Sequence, residues 1–381
     1  MYRRFIIIVF FVLFSVVLVA QKYKLDVQLD GLNATFGNFV IYDPYLAEGI
    51  KVERIPVENG HYVVEGECSY PMITSIVFDD NKTMKLIKGG FIPCKSALLW
   101  AVVEPGKALK IRGKTTTFHD VNVEDNGENQ KLSEINKRVI PLINEWGDLQ
   151  VQMNNDTTLA EEERDIITEK IKALDAKVIA IQKDMITKDP SSVAALWLLD
   201  EMFTRNQVTV DEVIGILKSV DKKYIDHPYY LTLMSKIEGA KNAVVGKLAP
   251  MIVTRNTFDG AEFNLSSLKG KYVILDFWGT WCGPCMAGMP RMKELRDRYK
   301  DKLVLVGVAE ETNIQNWRNV IKEKDLNWFQ IHNGIKKEDF VAKYNITGFP
   351  TKILISPDGI ILYRAMNETD EFYENVTKFI K

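Results

Sequence analysis

The stretch that most constrains the fold is Trp281-Cys282-Gly283-Pro284-Cys285, because one periodicity gives way to another there. Upstream, Tyr272-Val273-Ile274-Leu275-Asp276-Phe277-Trp278 is a short β-branched and aromatic run, the pattern of a buried strand. Downstream, Met286, Met289, Met292, Leu295 and Tyr299 recur at helical spacing, with Arg291, Lys293, Arg296 and Asp297 between them. The two cysteines therefore stand where a strand ends and a helix begins. A helix N-terminus carries unpaired N–H groups and a partial positive charge, and both stabilise a thiolate. Cys282 is the expected beneficiary, with a pKa below that of a free thiol. Two intervening residues let the sulfurs meet within one helical turn. Pro284 suits a first turn, where its missing N–H would be an orphan donor anyway. Gly283 leaves room for a partner chain. The pattern fits a thiol that attacks a disulfide and a second that resolves the mixed intermediate. Half a zinc site is the other chemistry open to such a pair, but zinc needs two more ligands. Cys68 and Cys94 lie far upstream and are not paired as C-x-x-C, and His61, His119, His227 and His332 are scattered.

Asp276 stands inside the apolar strand. A buried carboxylate is costly unless paired or used, and its raised pKa makes it a proton acceptor near neutral pH. An Asp that escapes to solvent at the strand edge is the plainer reading. Trp278 and Trp281 either shield and frame the cysteines or simply pack the core.

These residues carry a family resemblance. Asp276-Phe277-Trp278-Gly279-Thr280-Trp281-Cys282-Gly283-Pro284-Cys285 resembles the active-site segment of thioredoxin-fold proteins, and more narrowly of the extracytoplasmic TlpA/ResA-like thiol-disulfide oxidoreductases. Gly246-Lys247-Leu248-Ala249-Pro250 resembles the entry to that domain. Leu265-Ser266-Ser267-Leu268-Lys269-Gly270-Lys271 resembles the segment before its central strand, and Thr347-Gly348-Phe349-Pro350-Thr351 the loop that carries its cis-proline. The resemblance covers about 246–381. It implies a redox-active Cys282–Cys285 disulfide and a proton-transfer role for Asp276 toward the resolving thiol. It also implies that Trp281, Gly283, Pro284, Phe349 and Pro350 meet the substrate, the Phe349 backbone pairing with an extended peptide beside a cis-Pro350. An ordinary trans turn proline is the alternative for Pro350. No cofactor and no metal are expected. One departure stands out: many family members have a glutamate third after the second cysteine, where this chain has Gly288. Asp276 is then expected to carry the proton chemistry alone.

At 381 residues the chain is long enough for two or three domains. Hydrophobic content of 46% and charged content of 26% are ordinary for a globular protein. A net charge of −2 gives no reason to expect nucleic acid. Arg3-Arg4 followed by an apolar run from Phe5 to Ala20 reads as a signal peptide over 1–20, with an uncleaved membrane anchor as the alternative. Either way the rest of the chain is expected in the periplasm or cell envelope, where disulfide chemistry is normal.

Residues 21–125 read as a β-rich domain, a small sandwich or open barrel. Short strands such as Tyr23–Leu29, Ile73–Phe78 and Ala97–Val103 are separated by turn signals such as Asn59-Gly60 and Glu104-Pro105-Gly106. This part resembles the DUF4369 domains of Bacteroidetes-type members. Cys68 and Cys94 fall in it without an activating context, as a structural disulfide or two buried thiols rather than a second redox pair. Residues 126–245 read as helical, with stripes at Leu132–Ile143 and Ile166–Met185 and a break at Asp189-Pro190. Residues 246–381 alternate strand and helix, the order of a thioredoxin-like α/β domain.

The expected architecture is thus multidomain: an N-terminal all-β domain, a central α-helical region and a C-terminal thioredoxin-like α/β domain. The expected function is extracytoplasmic thiol-disulfide exchange. The Gly-Pro pair between the cysteines resembles thioredoxin, which is reducing at about −270 mV, and so favours reduction of protein disulfides. Disulfide-bearing envelope proteins would be the partners, with a membrane electron donor for re-reduction. A binding or scaffold protein that uses the thioredoxin-like domain for docking, and a thiol peroxidase, are the competing readings.

Overall fold

The computed structural model describes residues 20–44, 50–78, 80, 84–92, 94–115, 118–124, 127–311, 313–333 and 339–380. The expected targeting segment therefore lies outside the described residues, apart from Ala20. By its sequence Lys336 to Tyr344 suits a helix, and part of that stretch lies outside the described residues as well.

Strands come first: β1 (Gln21–Asp30), β2 (Phe36–Tyr42), β3 (Ile50–Pro56), β4 (His61–Cys68), β5 (Met72–Phe78), β6 (Lys85–Ile87), β7 (Gly90–Ile92), β8 (Leu98–Val103), β9 (Ala108–Lys114) and β10 (Asn122–Val123). They build two four-stranded sheets, ordered β10-β9-β1-β4 and β3-β2-β5-β8, besides the small β6-β7 hairpin. Of the two expected forms, this is the sandwich. Tyr23, Leu25, Val27 and Leu29 alternate into the space between the sheets and meet Phe39, Ile76, Phe78, Leu99 and Val103 from the other side. β8 shows no alternation in sequence because both of its faces are buried. Leu99, Ala101 and Val103 join the sandwich core, while Trp100 and Val102 face the helices.

Those helices are α1 (Glu128–Asn155), α2 (Glu161–Lys188), α3 (Val193–Thr204), α4 (Val210–Leu217) and α5 (Pro228–Asn242). α1 runs unbroken through Pro141, which lies on its exposed face. α3 is apolar nearly all round and is the buried centre of the layer, started by the Ser192 hydroxyl accepting the Ala195 N–H at 3.0 Å. Polar ties stitch this layer to β5 and β8. The Asn129 side chain bonds both backbone groups of Val102 at 2.8 Å, and the Tyr229 hydroxyl accepts the Ile73 N–H at 3.2 Å. The order is sheet, sheet, helices, with an apolar core in each gap.

The last third holds β11 (Val253–Thr254), β12 (Phe263–Asn264), β13 (Tyr272–Trp278), α6 (Gly283–Arg298), β14 (Leu303–Ala309), α7 (Ile314–Glu323), β15 (Phe329–His332), α8 (Phe340–Lys343), β16 (Thr351–Ile355), β17 (Ile361–Met366) and α9 (Asp370–Phe379). Five strands form one sheet ordered β15-β14-β13-β16-β17. β13 lies at its centre, parallel to β14 and antiparallel to β16. Its side chains alternate between two layers. Val273, Leu275 and Phe277 pack with Phe340 and Tyr344, whereas Ile274 packs with Met292 and Leu295 of α6 and Phe372 of α9. The architecture is an N-terminal β-rich part, a central helical part and a C-terminal thioredoxin-like α/β domain. Among the described residues, no helix is long and apolar enough to cross a membrane.

Candidate active site

β13 hands the chain to α6 through a turn at Gly279, Thr280 and Trp281. A Cβ on Gly279 would sit 2.7 Å from the Trp281 ring and 2.9 Å from the Glu310 carbonyl oxygen, so the turn needs glycine. The Gly279 carbonyl accepts the Cys282 N–H at 3.1 Å. Cys282 then occupies the N-cap of α6, where capping is normally done by an oxygen. Its Sγ accepts the Cys285 N–H at 3.2 Å. The two sulfurs are bonded at 2.03 Å, so this is the oxidised state. Once the pair is reduced, the same N–H and the positive end of the helix favour a thiolate at Cys282.

Both cysteines are almost covered, at 4% and 3% exposure, among Trp278, Met289, Ala309 and Trp317. Around them the surface is open: Gly283 and Pro284 are exposed, and Trp281 is 61% exposed. The Trp281 indole is nonetheless fixed. It donates to the Glu310 carbonyl at 3.0 Å and meets the Phe349 ring edge-on at 5.3 Å. Phe349 leads into a cis peptide bond with the buried Pro350. The sequence-derived residues Trp281, Cys282, Gly283, Pro284, Cys285, Phe349 and Pro350 thus gather at the N-terminal end of α6.

Asp276 lies below them rather than among them. It is 3% exposed and shares the α6 and α9 side of β13 with Ile274. Directly opposite in the antiparallel register is Lys352, on the same side of β16 as Leu354 and 2% exposed. The ammonium is 3.5 Å from Asp276 Oδ1 but 2.6 Å from Glu368 Oε2. Asp276 Oδ1 has no hydrogen-bond partner, so its link to Lys352 is coulombic contact rather than a formed hydrogen bond. Burial pushes the Asp276 carboxyl up, the nearby Lys352 charge opposes that, and Glu368 adds to it. Burial alone would lower the Lys352 ammonium, but the two carboxylates hold it above its ordinary value. Glu368 also accepts a hydrogen bond from the Tyr373 hydroxyl.

Three acidic residues and one lysine were not anticipated from the sequence. Glu310 fixes the Trp281 ring through its carbonyl. Glu311, buried at 6%, accepts from the Thr280 N–H at 3.3 Å and from its hydroxyl, and so holds the turn. Lys352 is the one charge in Thr351-Lys352-Ile353-Leu354-Ile355, a signal of the same kind as Asp276 in β13. Glu368 had no signal of its own. Cys68 and Cys94 are free and buried, and burial pushes the Cys68 thiol up to about 11. Among the described residues, no group of three or more His, Cys, Asp or Glu side chains is placed to hold a metal ion.

Residues 270–361 match a family model described as thioredoxin-like. A thiol-disulfide oxidoreductase ResA of Bacillus cereus is 39% identical over 127 residues, 32% of this chain and 70% of that protein. The thioredoxin-like protein YneN of Bacillus subtilis is 32% identical over 147 residues, 39% of this chain and 84% of that protein. Among solved structures, the thioredoxin domain of thiol-disulfide oxidoreductase BVU-2223 from Bacteroides vulgatus is 30% identical. That likeness covers 36% of this chain and 99% of the domain, at a TM-score of 0.34. A Cys-Gly-Pro-Cys disulfide on the first turn of a helix, in a thioredoxin-like domain this close to ResA, means that the chain belongs to the ResA-like thiol-disulfide oxidoreductases.

Proposed function

We propose that the chain reduces disulfides in proteins of the cell envelope. The observation that carries this reading is Cys282 at the N-cap of α6, its sulfur turned to the Cys285 N–H beneath an exposed rim of Trp281, Gly283 and Pro284. In the dithiol state the Cys282 thiolate attacks one sulfur of a partner disulfide. That bond breaks, the other partner sulfur leaves and takes up a proton, and a mixed disulfide joins Cys282 to the partner. Cys285 then gives its proton to Asp276, directly or through a water, and attacks Cys282 Sγ. The Cys282–Cys285 bond forms, the second partner thiol leaves, and two electrons have passed to the partner. Trp281 and Phe349 frame the approach of an extended peptide that runs past the cis-Pro350.

A membrane electron donor would restore the dithiol. The apolar run Phe5–Ala20 supports export, as a cleaved signal peptide or a retained anchor, and with it a periplasmic setting for this chemistry. The test is reduction of insulin disulfides together with the reduction potential of the Cys282/Cys285 pair. The expected potential lies near the −270 mV of thioredoxin, and a value near the −120 mV of a strong oxidant overturns the direction. Cys282→Ser should remove insulin reduction entirely.

A further inference from the structure

The carboxylate missing at position 288 is present in space. A Cβ built on Gly288 would lie 2.3 Å from Glu368 Oε2 and 2.9 Å from Oε1. Gly288 follows Cys285 by three residues on α6, and side chains three apart on a helix are about 5–6 Å apart at Cβ. Glu368 therefore brings its carboxylate, from the segment between β17 and α9, to the helix face that Cys285 shares. It is held there from two sides, by the Lys352 ammonium at 2.6 Å and by the Tyr373 hydroxyl.

We propose that Glu368 is a positioning residue for the resolving step: it draws Lys352 away from Asp276 and so leaves the Asp276 carboxylate free to take the Cys285 proton. This rests on the reading of Asp276 given above. Geometry and charge both support it. Lys352 has one ammonium and two carboxylates to serve, Asp276 buried and Glu368 half-buried. It sits at hydrogen-bond distance from Glu368 and at 3.5 Å from Asp276, whose Oδ1 is left without a hydrogen bond. An Asp fully paired with a buried lysine would be a poor base. With Glu368 neutral, the ammonium would turn to Asp276.

Among the described residues, few other charged or titratable groups surround the cluster. β13 contributes Asp276, β16 contributes Lys352, and α9 contributes Tyr373. α6 contributes Arg291, stacked on the Tyr373 ring at 3.7 Å and paired with Asp370 at 2.7 Å. Gly288 is the complement of this arrangement, since any side chain there would meet Glu368.

The experiment measures the rate of resolution of the Cys282 mixed disulfide against pH in the full chain and in Glu368→Gln, Asp276→Asn and the paired exchange Gly288→Glu with Glu368→Gly. A cation at hydrogen-bond range lowers a carboxyl by roughly one to three pH units. At a Brønsted slope of about one half, Glu368→Gln should slow resolution by roughly three- to thirtyfold and move the acid limb of the profile to lower pH. The paired exchange should return the limb toward its original place, because the carboxylate supplied by Gly288→Glu can bind Lys352 from the helix side. A Glu368→Gln profile that coincides with the parent overturns the inference, and so does one that drops without moving its limb. Should Glu368→Gln not fold, the paired exchange decides: a parent-like limb supports the inference and a displaced one overturns it. If Asp276→Asn itself coincides with the parent, the base assignment fails and this inference falls with it. Failure at Glu368 alone leaves Asp276 in place.

Discussion

Asp276→Asn separates the two thiol steps, because only the second needs a proton removed from a covered sulfur. The substitution keeps the shape and removes the base. Its size can be bounded from Cys285. A thiol with an ordinary pKa of about 8.5 is roughly 3% ionised at pH 7. Without a base, resolution runs through that fraction, so a perfect acceptor gains about thirtyfold over it. Cys285 is only 3% exposed, and burial raises a thiol, so the true gain is larger. It should approach the lower end of the about 10²–10⁴-fold typical of general-base assistance. Asp276→Asn should therefore slow resolution by about thirty- to hundredfold at pH 7 and leave the first attack unchanged. Its rate should climb about tenfold per pH unit up to the Cys285 pKa, where solvent deprotonation makes the base redundant and the two proteins converge. An aromatic disulfide such as Ellman's reagent reads both steps in stopped flow, since attack and resolution each release one chromophoric thiolate. Superimposable second phases across pH would refute the reasoning and make Asp276 a structural residue. The same variant has a sign in stability. The Asp276 carboxyl is raised in the folded state, so its contribution is fully present below the unfolded pKa and is lost as pH rises through the folded one. The Asn variant should gain on the parent in urea midpoint as pH climbs above the ordinary carboxylate range.

Two further outcomes follow from the same geometry. Cys285→Ser should accumulate mixed disulfides through Cys282, seen on non-reducing gels of the envelope fraction as bands that vanish with dithiothreitol; adducts on the buried Cys68 or Cys94 alone would mean that the wrong pair has been assigned. A fragment starting at Val245 should fold, because it holds the whole five-strand sheet and its helices. It should be less stable by about 1–3 kcal/mol than one starting at Pro228, since Ala243 is buried in the thioredoxin-like core, Arg364 donates to its carbonyl at 3.3 Å and Gly239 packs on α8; equal urea midpoints would contradict that.

Much of this was readable from sequence because it is local. The strand-to-helix switch at Cys282 rests on neighbouring residues, the run Tyr272–Trp278 on one side and the stripe from Met286 to Tyr299 on the other. The hairpin of β16 and β17 likewise follows from Thr351–Ile355, a Pro357-Asp358-Gly359 turn and Ile361–Tyr363. Asp276 was readable too, since a charge in the middle of an apolar strand has to be explained. Lys352 obeys the same rule, but a lysine at the end of an apolar run is easily given to solvent. Its burial follows from register: Asp276 and Lys352 are direct partners, and a charge that is buried needs its opposite.

Glu368 marks where local reading stops. It lies beyond the sheet in an ordinary polar segment, and nothing in its neighbourhood distinguishes it from Glu371 or Glu374. Only tertiary packing shows that its carboxylate fills the volume left by Gly288. The expectation that the chain had lost a carboxylate there came from comparing a position, whereas chemistry depends on a place. A side chain on α6 and a side chain from the β17–α9 segment can reach the same Lys352, because both elements pack on the same face of the sheet. The two arrangements differ in what anchors the acid. A glutamate on α6 moves with the cysteines, whereas Glu368 is tied to Tyr373 on α9. A shift of α6 when Cys282 engages a partner would change the distance between Glu368 and Cys285 while leaving the Lys352–Glu368 pair intact. The carboxylate of this chain thus belongs to the framework beneath the helix rather than to the helix that carries the thiols.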